Sequence, residues 1–175
     1  MNSYDLSQPA LQPLTGYEIK KLLEEFFSHF YRSTYGTIYP MLTRMEKEGL
    51  ITKEVVPQDG KPNKKVLTIT DKGRECFNDY LIGPLEQDST KSDFLMRLYF
   101  GEFVGYDRVM IWLTQAQEDA QIKLKELQQS YLLHKNEMHP AQIICIQIGI
   151  NEYSAKLETI AQGMLNIEQL ELKKQ

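Results

Sequence analysis

The stretch that decides the fold is Tyr35-Gly36-Thr37-Ile38-Tyr39-Pro40-Met41-Leu42-Thr43-Arg44-Met45-Glu46-Lys47-Glu48-Gly49-Leu50-Ile51. Ile38, Leu42 and Met45 recur at spacings of four and three, the apolar stripe of an amphipathic helix. A helix is expected from about Thr34 to Glu48, closed by Gly49 just past its end. Pro40 lies inside it and removes one backbone donor, at a cost of about 3 kcal/mol; read locally, the helix would begin near Thr37 instead. With the stripe facing a core, the outer face carries Gly36, Thr37, Pro40, Thr43, Arg44 and Lys47, with Tyr35 and Tyr39 at its edge.

Upstream, Ile19, Leu22, Leu23 and Phe26 predict a helix from Gly16 to Phe30. Thr15 followed by Glu18 three residues on is a capping-box arrangement. The short link Tyr31 to Ser33 makes the pair a helix-turn-helix candidate. Downstream, Leu50 to Val56 and Val66 to Thr70 are two β-rich runs around the turn-forming, lysine-bearing segment Pro57 to Lys65. They read as a hairpin, the wing. Asp71, after Thr70, is expected to help cap a further helix through Cys76, Phe77, Tyr80 and Leu81. The N-terminal stretch Tyr4 to Leu14 contains two prolines and several polar residues, a poor helix.

The pattern changes near Gly83-Pro84, within the polar segment Gly83 to Asp93. Two domains are expected, residues 1–84 and 85–175. In the second, Ile143, Ile146, Ile150, Tyr153, Leu157, Ile160, Met164 and Ile167 form an unbroken heptad seam on a helix that starts at Pro140. A weaker seam of Tyr106, Val109, Leu113, Ala116, Ala120 and then Leu124 or Leu127 marks a preceding helix from about Tyr106 to Lys135. The break at Met138-His139-Pro140 makes the two an antiparallel hairpin. Such a hairpin leaves apolar surface exposed, which a second copy buries most economically. The seam is therefore the expected dimer interface.

The 175 residues carry 20 Lys and Arg against 24 Asp and Glu, a net charge of −4. The acid excess lies in the C-terminal half: residues 15–83 hold 11 bases and 10 acids, and residues 84–175 hold 9 and 13. No acid falls between Phe26 and Met45, while His29, Arg32 and Arg44 do, and a DNA-contacting surface need only be locally positive. No apolar run approaches the roughly 18 to 20 residues that span a bilayer, and the N-terminus lacks the pattern of a signal peptide. A cytoplasmic protein with no membrane contact is expected. The two cysteines, Cys76 and Cys145, are expected to be reduced and half-buried.

Four ordered motifs resemble the PadR family of transcriptional regulators: Gly16-Tyr17-Glu18, Gly36-Thr37-Ile38-Tyr39-Pro40, Glu48-Gly49-Leu50-Ile51 and Thr70-Asp71-Lys72-Gly73. The resemblance covers about residues 13 to 83. Asp93 to Phe100 and the helices after it resemble, less specifically, the extended C-terminal domain of the longer members. The resemblance implies a mainly α fold: a winged helix-turn-helix with a three-helix core and a two-stranded β wing, then a long antiparallel helical hairpin for dimerisation. It also implies a bacterial homodimer that binds an inverted-repeat operator in double-stranded DNA and usually represses. The family keeps the proline that stands here at Pro40, so the resemblance implies a helix from about Thr34 with a mild distortion. Within the family's pattern the stretch Tyr4 to Leu14 departs from the expected apolar first helix.

The residue chemistry points the same way. A helix-turn-helix sets its second helix in the major groove. There Gly36 permits close backbone approach, Thr37 and Thr43 suit phosphate oxygens or thymine methyls, and Arg44 suits guanine or phosphate. Tyr35 and Tyr39 can reach phosphate, and Lys47 flanks the face. In the wing, Lys61, Asn63, Lys64 and Lys65 suit the minor groove or the flanking backbone. Trp112, the one tryptophan, is a candidate contact for a small aromatic effector, against ordinary interhelical packing. No phosphate-binding glycine loop, nucleophile constellation, cofactor motif or metal-ligand spacing appears, so an enzyme is not expected. A rival to the DNA-binding reading is a winged-helix protein-interaction module acting through its coiled-coil arm.

Overall fold

The first helix begins where the chain supplies its cap. Thr15 N–H donates to Glu18 Oε2 at 2.7 Å, and Glu18 N–H donates to Thr15 Oγ1 at 3.2 Å. This reciprocal capping box satisfies two donors that a helix start otherwise leaves open. The computed structural model describes residues 12–26, 35–58, 60, 63–88 and 91–173. Among them run β1 (Leu14–Thr15), α1 (Gly16–Phe26), α2 (Tyr35–Lys47), β2 (Ile51–Val56), β3 (Lys64–Ile69), α3 (Asp71–Ile82), α4 (Asp93–Tyr99), α5 (Tyr106–His134) and α6 (Pro140–Leu172). The expected continuation of α1 to Phe30, the link Tyr31 to Ser33 and His29 lie outside the described residues, as does the chain before Gln12.

The stripe of α2 is turned inward. Ile38 and Leu42 are buried with Ile51 of β2 and Leu67 of β3, and Ile19, Leu23 and Met45 pack around them. Pro40 sits inside α2 without ending it. Its missing N–H would have served the carbonyl of Gly36, an exposed residue in the first turn, where water can take the bond.

The sheet holds the two strands expected of the wing, β2 and β3, and adds a third, β1. Its order is β1-β3-β2, all antiparallel, with Leu14 opposite Leu67 and Ile51 opposite Ile69. Two residues are too few to show an alternating pattern. Leu14 nonetheless reaches the core beside Leu22, with Ile19 and Phe26 against them. In β2 only Ile51 is buried. The hairpin is thus rooted in the core at its base and surrounded by solvent beyond it.

A clasp ties the exit of α2 to the entry of α3. Three successive carbonyls are taken: Glu48 O accepts from Lys72 Nζ at 2.7 Å, Gly49 O from Thr70 Oγ1 at 2.7 Å and Leu50 O from Thr70 N at 3.0 Å. Thr70 is also the N-cap of α3, its hydroxyl oxygen accepting from Gly73 N at 3.0 Å. Gly49 adopts φ +72°, a conformation natural to glycine. Asp71, expected to help cap, is the first helical residue instead. Phe77, Tyr80 and Leu81 of α3 are exposed, and so is Cys76, against the expectation of a half-buried thiol; Cys145 is half-buried and burial pushes its thiol pKa up.

The chain divides into two compact units, Met1–Glu86 with Asn136–His139, and Gln87–Lys135 with Pro140–Gln175. In the second, α5 and α6 pack along their length. Val109, Leu113 and Ala116 of α5 are buried with Ile160 of α6, and Phe94, Leu98, Met164 and Ile167 lie against them. Ala120 and Leu127 continue the buried face of α5. No helix among the described residues is long and apolar enough to cross a membrane.

Gly73 is the tightest point of the clasp: a Cβ there would stand 2.1 Å from Leu50 O. Gly73→Ala is expected to destabilise the protein by about 2–4 kcal/mol, because backbone and not a flexible side chain must give way. Urea unfolding checks this, and a loss below about 0.5 kcal/mol would contradict the clasp's geometry.

Candidate nucleic-acid interface

The outer face of α2 follows from its inner one. With Ile38 and Leu42 inward, Gly36, Thr37, Tyr39, Pro40, Thr43, Arg44 and Lys47 are all exposed. The backbone of Tyr35 begins α2, but its side chain lies outside the described residues. On the hairpin, Asn63, Lys64 and Lys65 are exposed, and Lys61 lies outside the described residues. Lys64 and Lys65 stand opposite Val56 and Val55 at the far end of the hairpin from its buried root.

Several of these side chains are oriented. Tyr39 leans on Gly16, where a Cβ would come within 2.9 Å of its Cε1, yet it keeps 43% of its surface. It therefore packs and projects at once. The Thr43 hydroxyl donates to Tyr39 O at 2.9 Å. Its lone pairs and methyl, not its proton, are what it can offer a ligand. Arg44 Nε donates to Glu48 Oε1 at 2.8 Å, one turn on. That hydrogen bond, and the carboxylate charge behind it, push the guanidinium pKa further up. Glu46 pairs with Lys53 of β2. The two acids at the end of α2 are thus matched within the fold. Among the described residues Lys47, Lys64 and Lys65 have no ion pair, against one unpaired acid, Glu54 of β2, so the net local charge of face and wing is positive.

Two of these features escape sequence reading and one does not. The Arg44–Glu48 pair is legible as an i,i+4 spacing. The seat of Tyr39 on Gly16 and the reach of Lys72 to Glu48 O join residues more than twenty apart, with no periodicity to announce them.

The remaining candidates lie in the second unit. Trp112 is half-buried and packs on the α5–α6 core. It also lines an open recess of about 220 Å³ with Asp93, Phe94, Arg97, Gln115 and Ala116. Arg97 Nε donates to Asp93 Oδ2 at 2.7 Å, and Lys156 Nζ stands 5.5 Å from the Phe94 ring centroid. The α6 seam is only partly covered within one chain. Ile146 and Ile160 are buried, and Ile143, Ile150, Tyr153, Leu157, Met164 and Ile167 are half-buried. Other apolar side chains stay exposed: Ile144, Ile148 and Leu165 on α6, and Ile111, Ile122 and Leu132 on α5. Among the described residues no group of three or more His, Cys, Asp or Glu can hold a metal ion.

If the Gly16–Tyr39 contact seats the ring, Gly16→Ala costs about 1–3 kcal/mol of stability in the native chain. It should cost markedly less once Tyr39 is also Ala, since the obstructed ring is gone. A double-mutant cycle by denaturant unfolding reads this coupling; strict additivity would refute the contact.

Comparison with known proteins agrees with this geometry. Residues 6–79 match the model of the transcriptional regulator PadR-like family. The chain is 36% identical to the structure of smu.1604c from Streptococcus mutans UA159, at TM-score 0.85 over 94% of this chain and 99% of that one. It is also 36% identical to the PadR-like transcriptional regulator BC1756 from Bacillus cereus, at TM-score 0.79 over 90% and 92%. The negative transcriptional regulator PadR of Bacillus subtilis is 31% identical over 120 residues, which are 67% of this chain and 65% of that protein, just under two thirds of its length. Its crystal structures with operator DNA (24% identity, TM-score 0.71, 89% and 91% covered) and with p-coumaric acid (22%, 0.64, 89% and 91%) share the fold. Motifs, fold and full-length similarity converge: the chain belongs to the PadR-like family of transcriptional regulators, a family of regulators and not of enzymes.

Proposed function

We propose that this protein is a cytoplasmic homodimeric repressor that binds an inverted-repeat operator in double-stranded DNA. The observation that carries the reading is the matching of charge around α2. The acids near its end are paired within the fold, while Lys47, Lys64 and Lys65 have no ion pair among the described residues. Such a surface gains by displacing counterions from phosphate. On it Thr37, Tyr39, Thr43, Arg44 and Lys47 face the major groove, with Tyr35 and Gly36 at the helix start; Lys61, Asn63, Lys64 and Lys65 engage flanking backbone or the minor groove. The name of the Bacillus subtilis relative, a negative regulator, and its crystallisation with operator DNA support this assignment.

A second copy accounts for the apolar side chains that one chain leaves uncovered. On this reading the α5–α6 hairpin dimerises through the half-covered seam, Ile143 to Ile167, and the exposed side chains beside it, such as Ile144 and Ile148. The recess at Trp112 is the candidate site for a small aromatic effector. Phe94 and Trp112 offer faces to stack on, and the p-coumaric acid complex of the Bacillus subtilis relative supports that class of ligand.

Three measurements follow. Sedimentation equilibrium should return twice the 20.4 kDa chain mass; a monomer at micromolar concentration contradicts the dimer. Arg44→Ala should weaken binding to a duplex that the full chain enriches from a random pool by about ten- to a hundredfold with the dimer intact, and the Lys64→Ala, Lys65→Ala double variant should instead flatten the salt dependence by roughly two counterions. Unchanged affinity for the first variant rules out Arg44 as a reader. Phenolic acids should quench Trp112 fluorescence and lower DNA affinity, and the absence of both effects at saturation ends the effector assignment.

A further inference from the structure

We propose that Glu48 is a positioning residue that fixes how Arg44 reads DNA, an inference that rests on the assignment of α2 as the reading helix. Glu48 is a residue that physics should disfavour here. It stands at the C-terminal end of α2, where the helix dipole opposes a negative charge. It also lies on the side meant to approach phosphate, where an acid repels. Its stabilising return is small, since an exposed i,i+4 pair adds little to a fold; the side chains of Arg44 and Glu48 keep 79% and 45% of their surface.

What the carboxylate does instead is select one edge of the guanidinium. It takes the Nε proton at 2.8 Å, and neither terminal amino group makes a hydrogen bond among the described residues. An arginine can meet the guanine O6 and N7 acceptors with two terminal amino groups or with Nε and one of them. With Nε committed to Glu48, only the end-on pair remains. The side chain is also held before DNA arrives, so less rotamer freedom is lost on binding. Glu48 itself is fixed at its backbone, its carbonyl accepting from Lys72 Nζ at 2.7 Å, a bond that a side-chain substitution leaves in place. The helix exit thus presents a braced donor pair in place of a free, swivelling cation.

The test compares the full chain with its Glu48→Ala, Glu48→Gln and Arg44→Ala variants. The probes are a duplex enriched from a random pool and a scrambled duplex of the same composition, measured at several salt concentrations. Glu48→Ala should leave or raise affinity for the scrambled duplex, since a negative charge is gone. It should lower the ratio of specific to scrambled affinity by about tenfold. Glu48→Gln keeps an acceptor for Nε and should retain most of the ratio. In the Arg44→Ala background, Glu48→Ala should leave the ratio where it is. A merely structural or electrostatic role would move both affinities together and leave the ratio unchanged, which overturns the proposal. If Arg44→Ala lowers the ratio and Glu48→Ala does not, Arg44 reads without help and only the positioning role fails. If Arg44→Ala leaves the ratio intact, or the chain enriches no duplex, the reading-helix assignment falls and this inference falls with it.

Discussion

Three consecutive backbone carbonyls, at Glu48, Gly49 and Leu50, carry the orientation of the N-terminal unit. Each lies in the turn just past α2, where the helix no longer supplies a donor. Each is taken by the start of the next helix, through Lys72, the Thr70 hydroxyl and the Thr70 amide. The two segments involved, Glu48-Gly49-Leu50-Ile51 and Thr70-Asp71-Lys72-Gly73, are far apart in sequence and flank the β2–β3 hairpin. Closing them together fixes the base of the hairpin beside the end of α2. The absence of a side chain at Gly73 is what lets the backbones come that close.

From that constraint the outward surface follows. Ile51 and Leu67 root the hairpin in the same core that holds Ile38 and Leu42. Everything beyond that root stays in solvent, as does the outer half of α2. A strand pair with one buried residue in β2 has little reason to extend so far for stability alone. The economy makes sense if the exposed parts meet something, and Lys47, Lys64 and Lys65, without an ion pair among the described residues, fit a polyanion. The second unit shows the complementary situation. Its helices cover part of one seam and leave other apolar side chains uncovered, the surface that the proposed second copy would bury.

The elements with strong periodicity were legible in the sequence. The stripe Ile38-Leu42-Met45, the α5 face from Val109 to Leu127 and the helix start at Pro140 all stand where spacing places them. Short or non-local features were not. The two-residue β1 has no pattern to detect, and its pairing with β3 depends on residues some fifty positions away. The α6 seam was legible as apolar, but spacing alone cannot say whether its partner is α5 of one chain or a helix of another. The exposed face of α2 was readable as the complement of its stripe. The orientation of its side chains was less so: that Tyr39 rests on Gly16, and that the Thr43 proton is spent on Tyr39 O, needed the fold.

The central claim is that α2 and the hairpin, held together by the clasp, form the surface that meets DNA. Hydrogen exchange of the full chain, with and without an enriched duplex, addresses it directly, because bound DNA slows exchange where it excludes solvent. New protection confined to α2 and the β2–β3 hairpin is the predicted result. Protection confined to α5 and α6, with α2 exchanging as in the free protein, would contradict it and favour a module that works through its helical arm.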